Sequence, residues 1–257
     1  MANIRAFFFA VSFLTRLPLH SLLRTPGSEN EYSRSVIFYP AVGLGLGIIS
    51  AVVLFLCRRL GFASEATSFC LIIIPYVCTN FLHFDGLCDV FDGFLADKGP
   101  EERLRIMKDS SIGSFALGSG VLFLLIRFFS LRACVRSSGF VLLYVMLFSV
   151  LSRYVPVMLS YKAHYPRSDG TASFLVGKIS TVYFLLSTGL AAVLTTALVL
   201  AGAEKHVVLI LISTAVISAL VLRQAAYCKI CGVTGDVLGA GVEVTECALG
   251  CAILLLL

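Results

Sequence analysis

Charge is what this 257-residue chain has least of: Asp, Glu, Lys and Arg together make up 14% of it, against about 25% in ordinary soluble domains. Hydrophobic residues reach 58% and the mean hydropathy is +0.96, so there is too little polar surface to cover the chain in water. That excludes a simple soluble domain and points to a membrane protein with several spans. A cysteine framework is missing too. The nine cysteines are odd in number, and Cys57, Cys70, Cys78, Cys247 and Cys251 lie in apolar segments, so no disulfide scaffold is expected. Cys228 and Cys231 form a C-x-x-C with no second pair, which argues against a zinc or redox centre. His20, His83, His164 and His206 are too scattered for a metal cluster. The apolar run 6–14, AFFFAVSFL, is too short to span, and it meets Thr-Arg-Leu-Pro where a signal peptide would carry a small-residue cleavage site. It is expected to form an interfacial or re-entrant helix.

What is present are long gaps between charges. A helix needs about 20 apolar residues to cross a bilayer, and seven segments qualify: Val36–Cys57, Ala66–Leu82, Ser110–Ile126, Ser137–Ser152, Ile179–Ala203, Val207–Leu222 and Val237–Leu257. The expected fold is therefore all-α, a polytopic bundle of about seven transmembrane helices plus the short N-terminal helix, forming one integral-membrane domain over 1–257. With seven spans, alternate loops carry fourteen Lys and Arg on one side and six on the other. The positive-inside rule places the fourteen in the cytoplasm, and every polar segment of chemical interest falls on that side. A nucleic-acid partner is not expected; the lipid bilayer is, and a homo-oligomer is compatible.

The chain is organised around His83–Gly113, which holds seven of its fifteen acids: Asp85, Asp89, Asp92, Asp97, Glu101, Glu102 and Asp109. On a helix, the i, i+4, i+7 spacing of Asp85, Asp89 and Asp92 puts three carboxylates within about 60° of arc. Like charges so placed repel unless something neutralises them. A divalent cation such as Mg²⁺ does so, held by one or two carboxylates plus substrate phosphate oxygens. The plainer alternative is a solvated loop paired with Lys98, Arg103, Arg105 and Lys108. The apolar residues, Gly86 and Gly93 between the aspartates suit a packed face better.

Four further segments lie on the same side. Arg16, in Ser12–Pro18, is a phosphate ligand or an interfacial anchor. Gly43 and Gly47 form a small-xxx-small pair for close helix packing, and a phosphate-cradling role is weak without strand-then-helix context. The 153–178 loop, with Arg153, Lys162, His164, Arg167 and Lys178, forms a basic rim for anionic lipid headgroups or an anionic, ring-containing substrate. In Cys228–Glu246, Asp236 is followed seven residues on by Glu243 and ten on by Glu246. Carboxylates inside a membrane segment face a polar cavity or a partner, and a functional role is favoured here. His83, opposite Asp85 on a helix, is read as a lip residue.

The strings HFDGLCDVFDG (83–93), RIMKDSSIG (105–113) and TGDVLGAGVE (234–243) with Glu246, together with FLTRLP (13–18) and YPAVG (39–43), occur in order over nearly the whole chain. They closely resemble the adenosylcobinamide-GDP ribazoletransferase family, the cobalamin 5'-phosphate synthases of the bacterial membrane. Cys88 and Phe91 stand where small or polar residues are common in that family, and Val233 where a polar residue often precedes Thr-Gly-Asp; no carboxylate is lost. The resemblance implies a multi-pass transferase of the inner membrane with its site facing the cytoplasm. Its reaction would join adenosylcobinamide-GDP to α-ribazole, or its 5'-phosphate, with Mg²⁺ and release GMP.

Such phosphoryl transfer relies on positioning and charge neutralisation. Asp85, Asp89 and Asp92 are the expected core of the metal site, completed by Asp109 and Asp236, with Asp92 or Asp109 as general base. Arg16, Lys108, Arg153 and Lys178 are candidate phosphate ligands, and His83, Glu243 and Glu246 candidate substrate-binding residues. The D-G-x-x-D-x-x-D-G string also looks like the metal motif of CDP-alcohol phosphotransferases, but lacks their Ala-Arg and distant fourth aspartate. A lipid phosphotransferase of that kind is one alternative. A non-enzymatic cation carrier is another, although the acids cluster on one side and no internal repeat is seen.

Overall fold

The computed structural model describes residues 2–15, 17, 19, 27–137 and 141–256. Eleven α-helices occur among them: α1 (Ala2–Thr15), α2 (Glu29–Ser35), α3 (Tyr39–Arg59), α4 (Ser64–Thr79), α5 (Leu82–Leu95), α6 (Pro100–Ile106), α7 (Ser114–Ser137), α8 (Val141–Ser160), α9 (Thr181–Leu200), α10 (Lys205–Ile230) and α11 (Gly235–Leu254). No strand occurs among the described residues. Six helical segments are long and apolar enough to cross a membrane, and α4 with α5, turned through 91° at their junction, make a seventh as a broken pair. α1 is the short apolar helix expected at the N-terminus. The all-α membrane bundle expected from hydropathy is therefore the architecture found.

Two helices differ from the charge-free windows in the same way. α7 runs on through Arg127, and α8 includes Arg153. Both arginines sit inside helices where hydropathy alone places a boundary. α8 and α11 form the centre, with 78% and 72% of their apolar windows buried, against 22% for α7 and α9. The small residues of α3 let it lie close to α8: a Cβ on Gly43 would meet the Ser149 carbonyl oxygen at 2.4 Å.

Two consecutive residues, Asn80 (φ 48°) and Phe81 (φ 57°), take the left-handed conformation that breaks α4 from α5. L-residues adopt it at a cost, so neighbouring contacts must hold it. Tyr76, one turn before the break, stacks on Phe81 at 5.3 Å and packs edge-on to Phe84 at 5.5 Å. The broken pair runs antiparallel along α7. Glu65 pairs with Arg132, Tyr76 meets Arg127, Phe84 faces Gly120, and Asp92 reaches Gly113. The aspartates of α5 are thereby held at the end of the bundle where α11 begins.

Gly43→Ala forces a side chain into the α8 backbone, whereas the Cβ of Gly45→Ala meets nothing within 4 Å. Overpacking of this kind costs about 1–3 kcal/mol. Thermal unfolding in detergent should fall clearly for Gly43→Ala and stay unchanged for Gly45→Ala.

Candidate active site

α5 carries its three aspartates on one side and buries Gly86, Leu87, Val90, Gly93 and Phe94 on the other. This is the amphipathic helix that the i, i+4, i+7 spacing predicts. Asp85 is exposed, and Asp89 and Asp92 are half-buried. α5 crosses α11 at Gly86, where a Cβ would lie 2.7 Å from the carbonyl oxygen of Asp236. Only glycine allows that approach.

Thr234 caps α11, its hydroxyl accepting the Val237 N–H at 3.4 Å and donating to Asp236 Oδ2 at 3.2 Å. Asp236 thus sits in the first turn of a helix, where the backbone dipoles favour a negative charge. Asp85 and Asp236 line one cavity of about 270 Å³ together with His83. Asp85 also borders a second cavity, about 390 Å³, with Asp89, Asp92, Lys108 and Asp109. The negative charges of Asp236, Asp85 and Asp92 all act on Asp89, and Arg167 supplies the opposing positive charge.

The acids differ in what they hold. Both oxygens of Asp92 accept backbone N–H groups, from Gly113 at 2.7 Å and Ala116 at 2.8 Å, so Asp92 caps the first turn of α7. Asp109 is exposed and accepts the N–H of Ser111 at 2.9 Å and the Ser111 hydroxyl on the same oxygen. Those bonds hold its carboxyl below the usual carboxylate range. A carboxylate so stabilised is a weaker base, and the two residues expected to take the proton are both otherwise engaged. The carboxylates of Asp85 and Asp89 have no hydrogen-bond or ion-pair partner among the described residues, although the Asp85 N–H donates to the Phe81 carbonyl at 2.9 Å.

No three His, Cys, Asp or Glu side chains among the described residues are disposed to enclose a metal ion by themselves. The donor set has the chemistry of a different kind of site. Asp85 and Asp89, with open carboxylates beside Asp236, are the residues that could contribute one or two ligands to a divalent cation, the rest of whose sphere would be water and phosphate oxygens.

The predicted cationic and buried residues divide. Lys108 borders the second cavity and pairs with Asp169 at 3.4 Å. Lys178 pairs with Glu29 at 2.9 Å and borders neither cavity. Arg16 lies outside the described residues. His83 is buried rather than a lip residue, and its Nε2 has no hydrogen-bond partner among the described residues.

Arg153, expected as a phosphate ligand, and Glu243 and Glu246, expected to bind substrate, are instead tied into one ionic network. All three are buried in the bundle. Arg127 donates to Glu243 at 2.8 Å and to the Tyr76 hydroxyl at 2.9 Å, and Tyr76 donates to Glu243 at 2.8 Å. Glu246 is bound by Arg127 and Arg153 and accepts from Ser152 at 3.1 Å. Two arginines and two glutamates thus balance, as intramembrane charges must. Arg127 was missed because it stands as a single charge between apolar runs and reads as the end of a span.

Of the basic rim residues expected in the 153–178 loop, Arg167 is the one that reaches Asp236. Its Nη2 lies 2.8 Å from Asp236 Oδ2, and its side chain is 11% exposed. Nothing in its sequence context separates it from Lys162 or His164 in the same loop.

A profile of the family described as cobalamin-5-phosphate synthase matches residues 6–254. A relative from Prosthecochloris aestuarii is 34% identical over 249 residues, covering 95% of this chain and 97% of its own length. One from Chlorobium phaeobacteroides is 36% identical over 247 residues, covering 95% and 94%. One from Clostridium tetani is 30% identical over 248 residues, covering 96% and 94%. All three are named adenosylcobinamide-GDP ribazoletransferase. No solved structure matches the chain.

Removing one member of a buried ion pair strands a charge at a cost of about 3–5 kcal/mol. Arg127→Met should lower the unfolding temperature in detergent steeply. Arg127→Met with Glu243→Gln, which removes one charge of each sign, should recover most of the loss; a double variant as unstable as the single one would contradict the charge balance.

Proposed function

The chain belongs to the cobalamin-5-phosphate synthase family and is a transferase of cobalamin synthesis, and on that premise we propose its substrates, its cation and the roles of its acids. The substrates are adenosylcobinamide-GDP and α-ribazole or its 5'-phosphate. The ribazole 3'-hydroxyl attacks the phosphorus next to cobinamide, a new P–O bond forms, and the bond to the bridging oxygen breaks as GMP leaves. The product is adenosylcobalamin or its 5'-phosphate.

The observation that carries this reading is the crossing at Gly86, which sets unpaired Asp85 and Asp89 beside Asp236 at one end of the bundle. Asp85, Asp89 and Asp236 are the residues that would hold Mg²⁺, and when bound it neutralises charge on the diphosphate. Asp92 supports them by fixing α5 against α7. Asp89, whose second oxygen stays free if one holds the cation, accepts the hydroxyl proton, a task for which Asp92 and Asp109, already hydrogen-bonded, are less free. Lys108 stands at the second cavity as a phosphate ligand.

The same arrangement weighs against a carrier. The deeper acids, Glu243 and Glu246, are locked to arginines, so among the described residues no unpaired carboxylate descends through the bundle to relay a cation. The excess of Lys and Arg in loops on the side of the site supports a cytoplasmic orientation in the bacterial inner membrane.

With the protein reconstituted in liposomes and Mg²⁺ present, GMP should be released from adenosylcobinamide-GDP, and no CMP from a CDP-linked lipid. Asp89→Asn should lower turnover by roughly 10²–10³-fold, the scale of losing one group that acts on the reacting centre. Asp109→Asn should cost less than about tenfold. Full turnover in an inserted Asp89→Asn protein would remove Asp89 from the site.

A further inference from the structure

We propose that Arg167 binds the diphosphate of the nucleotide-linked substrate and is held on Asp236 until a divalent cation takes that carboxylate over. This rests on the transferase reading above and adds a group that nothing in the sequence singles out.

Arg167 lies in the loop between α8 and α9, outside the spans. Its Nη2 contacts Asp236 Oδ2 at 2.8 Å, but Nε and Nη2 are shut off from solvent without a well-aligned hydrogen bond among the described residues. A guanidinium has five N–H donors in a planar fork, and this one leaves a buried donor unused. Four other cations near this end have partners other than Asp236. Lys108 is on Asp169 and Lys178 on Glu29. Arg103 donates to the carbonyls of Ala96 and Lys229. Arg223 donates to the carbonyls that end α8. Among the described residues, Arg167 is the cation paired with a carboxylate that lines the first cavity.

Its position makes it a counter-charge for the acid cluster when no other cation is there. It relieves the repulsion that Asp236, Asp85 and Asp89 exert on one another. A divalent cation brings twice the charge and competes for Asp236. The displaced guanidinium is still largely buried and needs another anion, since an unpaired buried charge is costly. A diphosphate offers two oxygens at the spacing the fork matches. Arg167 and the cation therefore compete in the absence of substrate and act together in its presence.

That change of sign is measurable. Mn²⁺ serves as the probe, its free concentration read by electron paramagnetic resonance with the full-length protein in nanodiscs. Without substrate, Arg167→Gln should bind Mn²⁺ roughly tenfold more tightly than wild type, the scale of one charge-assisted contact. In turnover, the same variant should raise KM for adenosylcobinamide-GDP about tenfold or more with a smaller change in kcat, and Arg167→Lys should restore part of the KM. Lys178→Gln, which removes a charge at the same end that is paired with Glu29 and borders neither cavity, should leave Mn²⁺ affinity within about twofold.

Arg167→Gln binding Mn²⁺ no more tightly than wild type, or leaving KM unchanged, overturns the exchange. If Asp89→Asn at the same time loses Mn²⁺, only the role of Arg167 falls. If both variants bind Mn²⁺ as wild type does, the cation site of the transferase reading falls with it.

Discussion

A charge surrounded by hydrocarbon must be matched by an opposite one, and in this bundle that requirement is met by Arg127 and Arg153 against Glu243 and Glu246. The four residues come from α7, α8 and α11, so satisfying them sets the depth of each helix relative to the others. Tyr76 joins the same set from α4 through its hydroxyl. Its ring then stacks on Phe81 at the break and packs against Phe84 beyond it. The ionic network below the site and the turn that aims α5 are therefore mechanically connected. A polar network of this kind specifies one arrangement because any other leaves a buried charge unpaired.

The acids of the chain fall into two groups that composition cannot separate. Glu243 and Glu246 have arginine partners and are part of the framework. Asp85 and Asp89 have none and border open cavities. Asp92 lies between these cases, since it borders the second cavity while its oxygens hold the start of α7. The same functional group is structural where the fold completes its hydrogen bonds, and available for chemistry where the fold leaves them open. Of the acids in 83–113 that border the two cavities, Asp92 and Asp109 hold N–H groups and the carboxylates of Asp85 and Asp89 do not.

Much of this was legible in advance. Long apolar gaps require helices in a membrane, and the aspartate spacing on α5 is a property of helical geometry. The errors came from reading every charge as a boundary. Arg127 and Arg153 lie within helices because their partners sit on α11, more than ninety residues away in the chain. No local pattern reveals that. Asp109 looked equivalent to its neighbours, yet a local turn gives its oxygen to Ser111. Arg167 looked like any basic loop residue until the loop was seen folded onto Asp236.

Composition and periodicity by themselves determined the all-α membrane bundle, the acidic face of α5 and the side on which the polar loops gather, because these depend on short-range geometry and on the cost of polar groups in lipid. The tertiary structure alone decided which charges neutralise each other and which stay unpaired. Coulomb interactions act through space and are strongest where water is excluded, so pairing depends on distances between residues far apart in the chain.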